Sequence, residues 1–383
     1  MKKLFNVRNL IIASFLMVAV LLAACGPSEA PPPAVEQPAA EQPAGQHASE
    51  QPATPAEPTG RVGVVLTTSG RGDRSYNDQA VAGFYRAIDE FGVDVREIHP
   101  PDVPSIETSL NFLAGEGYNP IFAIGFVAQE AVSNVAMDFP NTMFAIVDFD
   151  FGVDAPPNII SLTFAENEGS FLAGVLAAGM SQTGTVGYGG GMEAPIIQRF
   201  EAGFVAGARA YNPDINVLVN YIGPDPTAFS NPILAREIAL SQIRAGADVI
   251  YQVAGGSGLG VFDAAYEEGI LAVGVDSNQN WNAPGTIMAS MLKRVDNAVF
   301  QTIEAYVNGT LQGGVTKLFN LENDGVGLTD LRDLTSEETE GISPEGQALI
   351  QALKDTIPEE LIQQIEDLRR QVIEGAITVP YER

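Results

Sequence analysis

Short β-rich runs alternate with amphipathic helical stretches along most of this chain, and that alternation limits its fold more than any other feature. Arg61-Val62-Gly63-Val64-Val65-Leu66-Thr67-Thr68 is apolar and β-branched and ends in a Gly/Ser loop. Beyond the loop, Ala80, Val81, Phe84, Ile88 and Phe91 recur near helical spacing, which predicts a helix over 77–91. The pattern returns with strands expected at 120–125, 143–148, 184–188, 217–221, 248–252 and 271–276, and with helices at 128–139, 196–210 and 260–268. Such alternation predicts parallel α/β sheets. A stretch of more than 300 residues from about Gly60 to Arg383 favours two lobes over one core.

In open parallel sheets, ligands meet the carboxyl ends of the strands. That rule nominates residues 69–77, Gly125-Phe126, Asp148, and residues 189–192, 223–229, 254–260 and 276–279. Several are rich in glycine, which lets backbone amides approach a ligand closely. The run Gly256-Ser257-Gly258-Leu259-Gly260 resembles the turn of a dinucleotide-binding unit, but it lies deep in the chain instead of in its first βα unit. No Gly-Lys-Ser/Thr phosphate loop occurs.

Ahead of the folded region stands the chain's single cysteine. It closes Leu22-Ala23-Ala24-Cys25, after a basic start (Lys2, Lys3, Arg8) and an apolar run over 10–24. This is the layout of a secretory leader, residues 1–24, with a lipid-attachment cysteine at its processing site. A retained membrane span is the alternative, but the run is short for the roughly 20 apolar residues a span needs. Residues 25–59 are rich in proline and repeat Glu-Gln-Pro-Ala at 36–39, 41–44 and 50–53. They read as an extended tether of at most about 3 Å per residue. The chain is therefore expected to be exported and lipid-anchored on the outer face of the cell membrane, or on the periplasmic side where two membranes exist.

Charge and residue types exclude several chemistries. Loss of the leader removes three positive charges and no acidic one, which takes the formal −28 to −31. A surface that acidic repels nucleic acid and polyanionic substrates. One of the two histidines, His47, falls in the tether, leaving His99 alone in the folded region. With no second thiol and no histidine cluster, zinc or Cys–His catalysis lacks its groups. No cofactor, metal site or catalytic residue is expected.

Five ordered motifs carry a family resemblance: Gly72-Asp73-Arg74-Ser75-Tyr76-Asn77, Glu168-Gly169-Ser170-Phe171-Leu172-Ala173-Gly174, Ala254-Gly255-Gly256-Ser257-Gly258-Leu259-Gly260-Val261, Gly274-Val275-Asp276-Ser277-Asn278-Gln279 and Ser290-Met291-Leu292-Lys293-Arg294-Val295-Asp296. From Val62 to the closing Ile373-Glu374-Gly375-Ala376-Ile377-Thr378-Val379-Pro380, the chain resembles the basic membrane protein family of substrate-binding lipoproteins. The best-understood members of that family are purine nucleoside receptors of ABC importers. The resemblance implies a type I periplasmic-binding fold, two Rossmann-like lobes joined by a hinge and closing on a ligand. Lobe one would take residues 60–182 with a return over 286–316, and lobe two residues 183–285. The place of residues 317–383, with a helix over about 343–374, stays open.

Carried over by position, the resemblance puts Asp73 and Asn77 on a base edge, Tyr76 and Phe229 on the two base faces, and Asp276 and Lys293 on ribose hydroxyls. Gly255 falls in the lobe-two turn, Phe126 on the cleft wall, and Asp148 at another strand end. Plainer readings stand beside these. Asp73 or Ser75 can cap the helix that begins near Asn77, Phe229 can be core, and Asp276 with Lys293 can be a structural ion pair. Tyr76 stands where the family usually has phenylalanine, so its hydroxyl must find a partner or solvent. The resemblance implies a monomeric receptor that hands a nucleoside to an ABC permease without chemistry. The alternatives are a sugar, riboflavin or autoinducer-like ligand, or a nucleoside-processing enzyme.

Overall fold

Residues 59–382 are described by a computed structural model. The leader, Cys25 and nearly all of the expected tether lie outside these residues. β1 (Arg61–Val65) places Val62 and Val64 in full burial, as a strand covered on both faces requires. α1 (Tyr76–Phe91) turns its Ala80, Val81, Phe84 and Ala87 onto the sheet, and it stops at Gly92, whose left-handed φ of 66° lets its N–H close back on Ile88. β2 (Asp94–Ile98), α2 (Pro104–Gly115), β3 (Ile121–Ala123), α3 (Gln129–Asp138), β4 (Phe144–Val147) and β5 (Ile159–Phe164) continue the alternation.

The second lobe opens with α4 (Glu166–Met180) and β6 (Thr185–Met192), followed by α5 (Pro195–Tyr211), β7 (Asn216–Gly223), α6 (Pro232–Arg244), β8 (Val249–Val253), α7 (Gly258–Glu268), β9 (Leu271–Asp276) and β10 (Ile287–Lys293). After these come α8 (Val295–Val307), β11 (Val315–Phe319), β12 (Val326–Leu328), α9 (Ser336–Thr339), α10 (Pro344–Lys354) and α11 (Glu359–Ile373). The first sheet runs β2-β1-β3-β4-β5-β11 and the second β7-β6-β8-β9-β10-β12. All neighbours in both sheets are parallel except β12, which lies antiparallel to β10. Each sheet reverses strand order once near its middle, between β1 and β3 and between β6 and β8. Such a switch point splays the loops at the carboxyl ends and opens a crevice there.

Two lobe assignments need correction. Helix α4, expected within 60–182 of lobe one, packs instead on α5, β8, β10 and β12 of the second lobe. The return expected over 286–316 begins later, because Ile287–Lys293 pairs in register with β9 as part of the second sheet. The chain then crosses to lobe one through α8, which packs on α1, and β11, which pairs with β5, before β12 goes back. Three crossings therefore join the lobes, near residues 165, 294 and 320–325. The predicted helix over 343–374 is two helices, broken at Pro358, which lacks a backbone donor and becomes the cap of α11. Both belong with the second lobe, α10 against β10 and α11 against α4.

Close helix packing holds the second lobe in register with the cleft. A Cβ on Gly207 of α5 would stand 1.9 Å from the Phe171 carbonyl oxygen of α4, so the two backbones touch and no larger residue fits. The glycine run at 256–260 has a similar explanation, since a Cβ on Gly260 would lie 1.9 Å from the Pro232 carbonyl oxygen at the start of α6. Gly260 thus serves the contact between α6 and α7, while Gly258 makes room for the Gln252 side chain, whose Oε1 would lie 2.0 Å from a Cβ there.

Candidate functional site

At the two switch points, the carboxyl ends of β1 and β3 face those of β6 and β8 across one cavity. The room it leaves for the centres of water-sized spheres is about 90 Å³. All nine residues expected at the site line it: Asp73, Tyr76, Asn77, Phe126, Asp148, Phe229, Gly255, Asp276 and Lys293. They come from loops and helix starts at strand ends, as doubly wound sheets dictate.

Asp73 is buried, and its carboxylate caps α1. Oδ1 accepts from the backbone N–H of Ser75 (3.0 Å) and Asp78 (3.1 Å), and Oδ2 from the Asn77 N–H (2.8 Å) and the Asn77 side-chain amide (2.9 Å). Burial pushes its pKa up while these donors pull it down, and burial wins. A carboxylate has about four lone-pair positions, so Asp73 in this arrangement is filled by its own chain. Asn77 is also engaged, accepting at Oδ1 from the Thr67 N–H (3.1 Å) and donating through Nδ2 to Thr67 Oγ1 (2.8 Å). The capping role weighed for Asp73 is thus real. A ligand that uses this pair must exchange one of its internal hydrogen bonds.

Lys293 ends β10 almost fully buried, with Nζ 2.6 Å from Asp148 and 3.1 Å from Glu166. The anticipated pairing of Lys293 with Asp276 is therefore replaced by a buried Asp148–Lys293–Glu166 triad, to which Arg199 adds at 3.4 Å from Glu166. Burial works against the ammonium, but Asp148 and Glu166 outweigh it and raise its pKa, so the charge is kept. Asp276 instead accepts from Ser75 Oγ at 2.6 Å. Burial raises its pKa to about 7, against the opposing pull of Lys293 and Ser75. Asp148 and Asp276 both sit in the left-handed region, at φ 72° and 65°. Aspartate tolerates that conformation where a β-branched residue would not, and it aims both carboxyl groups past the strand ends.

Tyr76 and Phe229, the two rings expected on the base faces, come one from each lobe. Tyr76 is the first residue of α1, and its hydroxyl is buried beside Asp148, where burial first, then the charge of and hydrogen bond to Asp148, raise its pKa well above the ordinary value. Phe229 ends the turn after β7, and its ring occupies the space left by Gly191, where a Cβ would come 2.3 Å from Cε1. Phe126 is half-buried on the wall. Asn231, beside this turn, caps α6 by accepting from the Leu234 N–H at 3.1 Å.

The lobes meet across the cleft through the loop before α1. The Arg74 carbonyl accepts from Ser277 Oγ (3.1 Å) and Gln279 Nε2 (2.8 Å), while the Arg74 guanidinium donates to Asn282 (2.9 Å) and lies 5.0 Å from the Trp281 ring centre. Together with the Ser75–Asp276 bond, these contacts describe a closed arrangement. Among the described residues, no group of three or more His, Cys, Asp or Glu could hold a metal, and no helix is long and apolar enough to cross a membrane.

Sequence reasoning missed Glu166, which pairs with Lys293 behind the cavity wall, Arg199, which pairs with Glu166, and Ile196, Ile197 and Phe200, which line the cavity from α5. Glu166 carried one signal, a carboxylate beside Glu168 in the first turn of a helix that is apolar beyond it. The α5 residues carried none, because their spacing is that of an ordinary core face.

Two doubly wound lobes closed over a cavity at their strand ends, with three crossings between them, define a bilobed solute-binding protein. The chain belongs to the family described as ABC transporter substrate-binding protein PnrA-like, whose model matches residues 61–382. It is 32% identical over 341 residues to the ABC transporter nucleoside-binding protein BmpA of Lactococcus lactis, covering 84% of this chain and 89% of that one. It is 32% identical over 323 residues to an uncharacterized lipoprotein of Pyrococcus abyssi, covering 82% and 78%. Among solved structures, an ABC transporter system solute-binding protein of Aeropyrum pernix superposes with a TM-score of 0.74 at 31% identity, over 84% of this chain and 93% of the other.

Proposed function

We propose that this chain is a lipid-anchored receptor that captures a nucleoside, with a purine as the preferred base, and presents it to an ABC permease. The observation that carries the reading is one cavity with an aromatic ring from each lobe and a buried carboxyl cluster at the Lys293 end. Two π-faces suit a flat base, and each aromatic stack contributes about 1–3 kcal/mol in nucleic-acid sites. Asp276 can accept from vicinal hydroxyls, and Lys293 keeps the buried acids compensated. An Asp73–Asn77 pair saturated by its own chain favours capture over chemistry. The relative named as nucleoside-binding agrees with this ligand class.

Binding would proceed by closure of the lobes, with the Arg74 loop meeting residues 277–282 only in the closed state. Cys25 would carry the lipid, and the −31 formal charge of the processed chain fits an uncharged ligand. Incubation with adenosine, guanosine and inosine followed by chromatography of the released ligand tests the reading. The nucleosides should be retained and recovered intact; recovery of free base and ribose would instead make the protein an enzyme. Labelled fatty acid should enter the wild-type chain and not Cys25→Ser.

A further inference from the structure

Two buried glutamines connect the lobe-two turn at the cavity to the loop through which lobe one closes. Gln252 on β8 and Gln279 beyond β9 are fully buried, and neither side chain lines the cavity. A buried amide costs free energy unless its hydrogen bonds are made. Gln252 Oε1 accepts from the Ala254 N–H at 3.1 Å, which leaves its amide nitrogen to donate to Gln279 Oε1 at 2.7 Å. Gln279 Oε1 also accepts from the Val275 N–H at 2.8 Å, so its nitrogen is the end that faces lobe one and donates to the Arg74 carbonyl at 2.8 Å. Each amide fixes the sense of the other, because turning either over would set donor against donor and acceptor against acceptor. A Cβ on Gly274 would stand 2.9 Å from Gln279 Oε1, so the chain leaves room for this side chain as it does for Gln252 at Gly258. The receiving carbonyl is held in place too. Arg74 has a left-handed φ of 52°, and Asp78 braces it by accepting from the N–H groups of Gly72 and Arg74, each at 2.9 Å. Capping the strand-end amides of Ala254 and Val275 explains the acceptor ends of the two glutamines. It does not explain a donor delivered to the other lobe.

We propose that Gln252 and Gln279 form a positioning relay that ties the cavity turn at Gly255 and Gly256 to the Arg74 carbonyl, so that closure over a captured nucleoside is held by a hydrogen bond the ligand never touches. This rests on the nucleoside reading above and deepens it. Because the bond to Arg74 belongs to the closed state, it favours that state over the open one by its own free energy, whatever the ligand. Cutting the relay should therefore change the retention of every ligand by the same factor and leave discrimination between ligands as it was.

The test is calorimetric titration of the chain from Cys25 onward with adenosine, guanosine and inosine, comparing wild type with Gln279→Met, Gln252→Met, the double variant and Ser277→Ala. Methionine keeps the length of glutamine without its polar atoms. Gln279→Met should weaken each nucleoside that the wild type binds by one common factor of about 2- to 10-fold. The double variant should be no weaker than Gln279→Met alone, since Gln252 acts through Gln279. Ser277 donates to the same carbonyl at 3.1 Å from a half-buried position. Ser277→Ala should weaken binding in the same uniform way, with the unliganded melting temperature unchanged. Unchanged affinity in Gln279→Met, or in Ser277→Ala should Gln279→Met not fold, would overturn the relay while leaving nucleoside capture intact. Losses that differ between nucleosides would overturn it by placing the effect on ligand contact, and losses that add in the double variant would make the two glutamines independent packing residues. No binding of any nucleoside by the wild type would remove the nucleoside reading, and the relay's role in it, together.

Discussion

Asp276→Asn is the perturbation whose outcome the site's electrostatics fix most sharply. Burial lifts the Asp276 carboxyl from 3.8 to about 7 in the folded chain. A raised acid pKa means the folded protein holds a proton that the unfolded chain releases. The contribution of this carboxyl to stability is therefore most favourable below about pH 4, falls as pH rises through the window from about 4 to 7, and is flat above it. The shift of roughly three units corresponds to about 4 kcal/mol at pH 8 and about 2 kcal/mol at pH 5. Asparagine imitates the protonated acid, tolerates the φ of 65°, and still offers Ser75 an oxygen. Denaturant unfolding at pH 5 and pH 8 should thus find the variant more stable than wild type at both, with the larger gain at pH 8. Its nucleoside affinity should drop, since the acceptor for the hydroxyls is weakened. A variant of equal stability at both pH values, or one less stable at pH 8, would refute the reasoning that Asp276 is held against its preferred charge.

Three further outcomes follow from the same geometry. Lys293→Met leaves Asp148 and Glu166 buried and uncompensated, so it should lose about 3–5 kcal/mol of stability in denaturant unfolding, more at pH 8 than at pH 5; an unchanged midpoint would mean the triad is solvated. Phe229→Ala should weaken nucleosides by about 1–3 kcal/mol in calorimetry and leave ribose unaffected; equal losses for both would make the ring a core residue. Nucleoside 5′-monophosphates should bind more weakly than their nucleosides in competition, because Asp148, Glu166 and Asp276 outnumber the cations near them; preference for the phosphate would contradict the assigned electrostatics.

The fold class and the cavity residues were legible because both depend on local patterns. Alternating strands and helices define doubly wound sheets, and strand ends define where ligands bind, so Asp148, Asp276 and the turns at 69–77 and 254–260 could be found from the chain alone. Which lobe an element joins was less legible. Helix α4 is apolar and small-sided nearly all round, so its sequence does not say which sheet it covers; backbone contact with α5 through Gly207 decides that. Strand β10 is an apolar run that either sheet could take, and its register with β9 is a long-range fact. The nearest partners of Lys293 were not legible for a similar reason. Asp276 is near in sequence, but Asp148 and Glu166 are brought close only by the crossing between lobes. The capping bonds that fill Asp73 follow from the turn at 73–78, which residue identity suggests without deciding.

The central claim is capture of a nucleoside between the lobes, and calorimetric titration of the chain from Cys25 onward tests it most directly. The ligands are adenosine, guanosine and inosine, with ribose, glucose and riboflavin as the contrast. The account predicts one site per chain with a dissociation constant far below about 1 mM for at least one purine nucleoside, and no comparable heat from the sugars or the flavin. Tight binding of a sugar or riboflavin, with the nucleosides silent, would contradict it.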